Sequence, residues 1–381
     1  SLLKNKDYAE IFDFNLYGED KFIKKLKEGW DFVGISFVTS LIKEAKKVNG
    51  LVKKFDRKII TICGGPHPSS FPESSLKETG IDIDVIGEGD FTILDIVNNK
   101  KREKIKGIAY WKNGKIKINK RKKFIDNLDK LPFPALHLYE IGKYKVPKAI
   151  ARENPVAWLE TSRGWPFGCI YCNKSCFGRT YRVKSPERVV DEFMFAKKLG
   201  FKEIHITDDG FTTDMERAKK ICDLLIEKKV NIGWSTITGI RVDRVDMELL
   251  KKMKQAGCYM VYFGIESGNQ KIKNNIKKGI KLEQVRNAVR WSKEAGLKVA
   301  GFFMIGLPGE TEKEIQETID FAKSLDLDLA KINITIPLPA TEMFNEMDKK
   351  GLIKTYDWKE FKFYSVPENV YNHENMSWET I

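Results

Sequence analysis

Apolar and polar positions along the chain fall into two alternating series. In the first 125 or so residues, DFVGISFV (31–38), KIITICGG (58–65) and DIDVIGEG (82–89) read as buried strands that end in small residues. The charged segments between them have helical spacing, which predicts a doubly wound, Rossmann-like α/β domain whose ligands sit beyond the carboxyl ends of the strands. Residues 112–123 predict a Lys-rich hairpin about Asn113-Gly114, and LPFPALHLYE, with Pro132 and Pro134, reads as an extended linker. A second series follows: VAWLETSR (156–163), EIHITDD (203–209), IGWSTIT (232–238), YMVYFGIES (259–267), VAGFFMIG (299–306) and AKINITIPL (330–338), separated by amphipathic helical patterns. Six strand and helix units in order predict a partial (β/α)6, TIM-like barrel with its chemistry at the strand ends. The expected division is 1–125 for the first domain, 126–154 for the linker, 155–345 for the barrel and 346–381 for a C-terminal segment. The chain opens on what reads as the end of a helix and closes on NMSWETI, so a missing first strand and a truncated sequence are expected.

Composition narrows the class. With 42% hydrophobic and 31% charged residues the chain can bury substantial cores, and no run approaches the roughly 18 apolar residues of a membrane span. Charges in the opening SLLKNKDYAEIF leave no apolar leader, so the expected compartment is the cytoplasm. The formal charge of +14 raises a nucleic-acid partner, but the lysines are read as spread over the helices and interleaved with acids, as at Glu312, Lys313 and Glu314. Nucleic acid is therefore not expected.

Of six cysteines, Cys63, Cys222 and Cys258 are isolated and read as small buried hydrophobes. Cys169, Cys172 and Cys176 are different. They lie in a loop rich in Gly, directly after the first barrel strand, where closely spaced thiolates suit an iron-sulfur cluster with one iron left open to a ligand. Zinc is the competing metal, with a closed four-coordinate site disfavoured by only three nearby Cys and no adjacent His.

At this loop the sequence resembles the radical SAM enzymes with an N-terminal cobalamin-binding domain, a group that includes cobalamin-dependent methyltransferases and the anaerobic magnesium-protoporphyrin ester cyclase type. The resemblance covers nearly the whole chain. It implies a [4Fe-4S] cluster on C-x3-C-x2-C whose open iron chelates S-adenosylmethionine. Here the string runs Trp165-Pro166-Phe167-Gly168-Cys169-Ile170-Tyr171-Cys172, so the second and third cysteines match and the first is Trp. Indole has a donor N–H and no lone pair for iron. Three readings stand open: Cys176 serves as the third thiolate, the cluster is weak or lost, or the Trp is an alteration peculiar to this sequence.

The remaining fragments follow the family's order at successive strand ends. The resemblance implies that Tyr171 covers the adenine, that Asp208 and Asp209 meet the methionine ammonium, with capping of the next helix as the alternative for these acids, and that Glu266 and Ser267 of GIESG meet the ribose. Arg241 is assigned to the methionine carboxylate, with a salt bridge to Asp243 or Asp246 as the alternative, and Gly306 and the Ile336-Pro337-Leu338-Pro339 segment to the adenosyl group. In the first domain Ser36 and Gly64-Gly65 match the family's S-x-L and G-G, and His67, Gly87, Glu88 and Gly89 fall in the loops that face the corrin. Asp13-Phe14-Asn15-Leu16-Tyr17-Gly18 looks like the family's D-x-H-x-x-G loop but falls after the wrong strand and is rejected. No catalytic residue is assigned.

The implied activity is reductive cleavage of S-adenosylmethionine and functionalisation of an unactivated C–H bond, with methyl transfer the commonest outcome. The implied partners are an electron donor such as ferredoxin or flavodoxin and an unknown substrate, with no membrane. Two alternatives are a non-catalytic relic that holds cobalamin or S-adenosylmethionine, and an RNA-modifying radical SAM enzyme. Trp358, Phe361, Phe363 and Tyr364 are candidates to line the substrate cleft, with packing onto the barrel as the competing role.

Overall fold

The computed structural model describes residues 8–362 and 366–381. The chain divides into two compact units. One contains residues 1–125 together with 171–178 and 336–371, and the other contains 126–170, 179–335 and 372–381. Expected cleft residues Phe363 and Tyr364 lie outside the described residues.

The first unit starts with α1 (Phe14–Leu26), capped by Asp13, whose carboxylate accepts from the amides of Asn15 and Leu16. That cap gives the rejected Asp13 motif a structural job. β1 (Phe32–Ser36), α2 (Ile42–Phe55), β2 (Ile60–Gly64), the short α3 (Pro66–Ser70), α4 (Pro72–Thr79), β3 (Ile83–Val85) and α5 (Asp90–Val97) follow, then the hairpin strands β4 (Ile108–Lys112) and β5 (Lys115–Ile118). β1, β2 and β3 pair in parallel, β4 and β5 join antiparallel, and the spatial order is β1-β2-β3-β4-β5. Asn113 and Gly114 both take positive φ, 49° and 72°, the backbone that a two-residue turn between twisted strands requires. Ile62, Ile83, Val85, Ile108 and Tyr110 form the core under this sheet.

The second unit opens with β6 (Val156–Leu159) and the small antiparallel pair β7 (Ser162–Arg163) and β8 (Arg182–Val183). It continues through α6 (Pro186–Lys198), β9 (Glu203–Ile206), α7 (Met215–Glu227), β10 (Gly233–Ser235), α8 (Met247–Gln255), β11 (Cys258–Glu266), α9 (Gln270–Asn275), α10 (Leu282–Glu294), β12 (Lys298–Ile305), α11 (Glu312–Ser324) and β13 (Leu329–Ile334). The six-stranded parallel sheet has the order β13-β12-β11-β10-β9-β6, the partial barrel that the pattern predicts. Residues that alternate outward, such as Ile204, Ile206, Val261, Phe263 and Val299, pack on the helices in one continuous core around Phe193 and Trp234. The inward face is polar at its base, where Glu203 accepts backbone amides of Arg152 and Glu153 and lies 2.8 Å from Nε2 of buried His205. After β13 the chain returns to the first unit with α12 (Glu342–Lys349), whose Phe344 packs with Trp358 and Phe361. Trp358 also stacks on Phe71, at 5.0 Å between ring centroids, so it packs within the first unit and not onto the barrel as expected.

The loop from β12 to α11 is closed by a carboxylate. Glu310 is fully buried and accepts from the Leu307 amide at 2.9 Å, and burial pushes its pKa up from 4.5 to about 7. A folded-state pKa above the unfolded one means that the folded chain holds the extra proton. Stability from this group is thus present below pH 4.5 and lost as pH rises through about 7. Glu310→Gln should keep the amide contact and flatten that slope, worth on the order of 2–3 kcal/mol between the two limits. Urea unfolding of both proteins at several pH values checks it.

Candidate cofactor sites

In the barrel unit the sharpest construction lies at the end of β11. A register shift between Gly264 and Glu266 turns the strand, and Glu266 takes a φ of 69° that aims its carboxylate inward. Lys278, just beyond α9, donates to Glu266 Oε1 at 2.8 Å, and the side chains of both are nine-tenths or more buried. Gly264 lies directly beneath them: a Cβ there would stand 2.9 Å from both Glu266 Oε1 and Lys278 Nζ. Lys273 is buried close by, its Nζ donating to the Ile265 carbonyl, and burial followed by the charge of Lys278 lowers its pKa to about 7. A carboxylate and an ammonium side by side over a bare backbone fit a ligand that carries hydroxyls and a zwitterionic head.

The other expected residues at this edge have local jobs. Asp208 is buried and its carboxylate accepts from the Thr161 amide, the Thr161 hydroxyl and the Ser162 hydroxyl at 2.5, 2.5 and 2.6 Å, tying the end of β9 to the chain after β6. Asp209 is exposed. Arg241 makes a two-pronged pair with Asp243 at 2.8 and 2.9 Å, donates to the Lys278 carbonyl and stacks over Phe167 at 3.8 Å, the salt-bridge alternative for this residue. Ser267 is fully buried, 3.1 Å from the Thr318 hydroxyl, and accepts the Asn269 amide. Gly306 begins the loop that Glu310 closes, at a φ of 75°.

The cysteine loop divides between the units. Cys169 is fully buried in the barrel unit, whereas half-buried Tyr171, Cys172 and Cys176 belong to the 171–178 segment of the first. Trp165 packs its indole over Gly210, 3.1 Å from where a Cβ would stand, and meets Phe167 edge to face at 4.7 Å. Its Nε1 is buried with no hydrogen-bond partner among the described residues. Cys176 Sγ lies 3.6 Å from Ser69 Oγ. Among the described residues no three His, Cys, Asp or Glu side chains are gathered to hold a metal ion. Cys169 and Cys172 are thiols of the kind that a cluster requires, and the residue at position 165 is not.

In the first unit the loops after β1, β2 and β3 converge. Gly65 has a φ of 107°, and a Cβ there would stand 2.9 Å from the Phe37 carbonyl and 3.1 Å from Ser36 Oγ, so only a bare backbone brings Gly64-Gly65 against exposed Ser36. The Gly87 amide donates to Ser69 Oγ at 2.9 Å, Glu88 accepts the Ile125 amide at 2.7 Å, and Gly89 starts α5. His67 is buried among Phe37, Phe71 and Trp358, with Nδ1 3.1 Å from Thr39 Oγ1 and Nε2 unpartnered among the described residues. Burial lowers its pKa to about 4, so it is neutral at pH 7. This hydroxyl, these bare backbones and an orphaned imidazole nitrogen suit a large polar cofactor lying across the strand ends.

Sequence reasoning missed Lys278. It stands in Lys277-Lys278-Gly279, one lysine among many, and only its partner distinguishes it.

Comparison with known proteins bears on both units. The Radical SAM superfamily model matches residues 159–322 and the B12 binding domain model residues 9–97. An uncharacterized methyltransferase of Pyrococcus horikoshii is 36% identical over 348 residues, which cover 90% of this chain and 74% of that protein. Cytidylyl-2-hydroxyethylphosphonate methyltransferase of Streptomyces wedmorensis is 32% identical, over 89% of this chain and 71% of that protein. The cobalamin-dependent S-adenosylmethionine radical enzyme OxsB, solved with aqua-cobalamin and S-adenosylmethionine, shares the fold at a TM-score of 0.76 and 20% identity, over 93% of this chain and 58% of that one. The chain belongs to the radical SAM superfamily, in the branch with a B12-binding domain, whose cofactors are a [4Fe-4S] cluster, S-adenosylmethionine and cobalamin.

Proposed function

We propose that the chain binds S-adenosylmethionine at the end of β11 and cobalamin across the ends of β1 to β3, and that it transfers a methyl group to an unactivated carbon. The single observation that carries this is the buried Glu266–Lys278 pair over bare Gly264. Methyl transfer follows from the two relatives above 30% identity, both methyltransferases by name. When bound, the cofactors supply the radical and the methyl carrier. The protein's own residues bind and orient: Glu266 accepts ribose hydroxyls, Lys278 donates to the ligand's carboxylate while holding Glu266 in place, and Ser36 with Gly65 admits the cobalamin tail. Asp209 and the loop from Gly306 complete the cofactor surroundings in the barrel unit in this reading, while Arg241 positions Lys278 through its carbonyl. Glu266→Gln and Lys278→Met should each weaken S-adenosylmethionine binding on the order of 10- to 100-fold, the loss expected for one charge-assisted hydrogen bond. Calorimetric titration checks this, and an unchanged affinity in both variants would remove the assignment.

A second reading is favoured by Trp165: a chain that holds the organic cofactors without radical chemistry. Its indole fills the first ligand position with an apolar ring and an unpaired N–H. Iron and sulfide content after anaerobic reconstitution decides between the two. Under the enzyme reading with Cys176 as substitute ligand, the wild-type chain carries the cluster and Cys176→Ala loses it. Under the relic reading the wild-type chain takes up no iron or sulfide, and Trp165→Cys restores a four-iron spectrum and reductive release of 5′-deoxyadenosine.

A further inference from the structure

The excess positive charge is not evenly spread, contrary to the reading of an interleaved, solvated lysine surface. Between residues 100 and 123 stand twelve Lys or Arg against one acid, Glu103, a net +11 of the chain's +14. The fold gathers them. β4 and β5 form one hairpin at the edge of the sheet, and Asn119 donates to the carbonyls of Arg102 and Ile105, holding the turn before β4 against the chain after β5. Lys112 pairs with Glu103, and Lys100 and Lys122 with Asp95. Lys104, Lys106, Lys115, Lys117, Lys120 and Lys123 are exposed and make no ion pair among the described residues. Ile118, 52% exposed, gives the patch an apolar spot. Lysines on an edge strand also guard it against edge-to-edge pairing, but that purpose needs only Lys115 and Lys117, and the other four lie off β5.

The patch is joined to the cysteine loop. Arg121 donates to the carbonyls of Ser175 and Cys176, and a Cβ on Gly87 would stand 2.9 Å from Arg121 Nη2 and 3.3 Å from the Cys176 carbonyl, so Gly87 is what lets the three segments meet. A surface with this charge raises the local concentration of an acidic partner and speeds its encounter.

We propose that the hairpin of residues 100–123 is the docking surface for an acidic one-electron carrier protein. The inference rests on the radical SAM reading only for the partner's purpose: the carrier would give up one electron, and a cluster held by the chain's thiolates would take it.

The probe is reduced flavodoxin, with wild type and the Lys104→Glu, Lys106→Glu, Lys115→Glu, Lys117→Glu variant measured side by side. At low salt the variant should bind flavodoxin at least about tenfold more weakly, and added salt should weaken the wild type towards the variant. The same four positions changed to Gln should fall between, and matching thermal unfolding of all three excludes a folding defect. Dithionite, a small reductant that needs no docking, separates this proposal from the functional one. Deoxyadenosine release with dithionite that survives in the variant while flavodoxin-driven release is lost supports docking. Absence of release with dithionite in both proteins, with the difference in flavodoxin binding intact, removes the catalytic reading and leaves the docking surface standing. Equal flavodoxin affinity in wild type and variant overturns the proposal, as does loss of binding to a single-stranded RNA probe alone.

Discussion

Parallel pairing constrains everything else in this chain. Two parallel strands need a crossover between them, so each strand's carboxyl end opens on the same edge and its loop must start there. In the barrel unit that edge collects the chain after β6, Asp208 after β9, Arg241 after β10, Glu266 at the end of β11 and Gly306 after β12. In the first unit it collects Ser36, Gly65 and Gly87. Residues far apart in sequence become neighbours without any contact having to be specified one by one, which is how short, individually weak sequence fragments come to form a site.

Within that frame electrostatics sorts binding residues from bracing residues. Asp208 and Arg241 are spent on the fold: the first is filled by three short hydrogen bonds, the second by a two-pronged carboxylate. Removing Arg241 would leave the Asp243 carboxylate without its partner, a cost of roughly 3–5 kcal/mol for a buried pair, and removing Asp208 would leave three donors unsatisfied. Glu266 and Lys278 are placed differently. They face each other over a missing side chain, and the bare Gly264 backbone is what lets the two charged ends approach it. Lys273 close by, with its pKa brought down to about 7, adds a second cation that gives up its proton readily. The local balance is therefore sensitive to whatever negative charge the ligand brings.

The fold was legible because its signals are periodic. All six barrel strands overlap the apolar runs, with β11, β12 and β13 each starting one residue earlier, and the Asn-Gly turn set the hairpin at residues 113 and 114. Strand ends were less legible: β10 keeps only Gly233–Ser235 of a seven-residue run, because Thr236 and its successors turn away to form the loop. Site residues were legible only as types. A carboxylate at a strand end reads the same whether it meets a ligand or caps a neighbour, and only the donors around Asp208 tell which. Lys278 was hidden by composition, since a functional lysine in a lysine-rich sequence carries no local mark. The concentration of charge at 100–123 was visible in the letters but passed for background, because the same composition elsewhere is offset by acids and here it is not.

Trp165 and the basic hairpin bear on the same question from opposite sides. An indole at the leading ligand position removes a thiolate and inserts an apolar ring with an unpaired N–H, which argues that selection on the cluster has relaxed. A patch that carries most of the chain's net charge, joined through Arg121 to the segment bearing Cys172 and Cys176, is a costly feature, since like charges repel one another on the folded surface. A relic that only holds organic cofactors has no use for an electron and gains nothing from that repulsion. If the patch seats an electron carrier, as proposed, Cys176, in the segment that Arg121 braces, is the natural place to look for the missing sulfur.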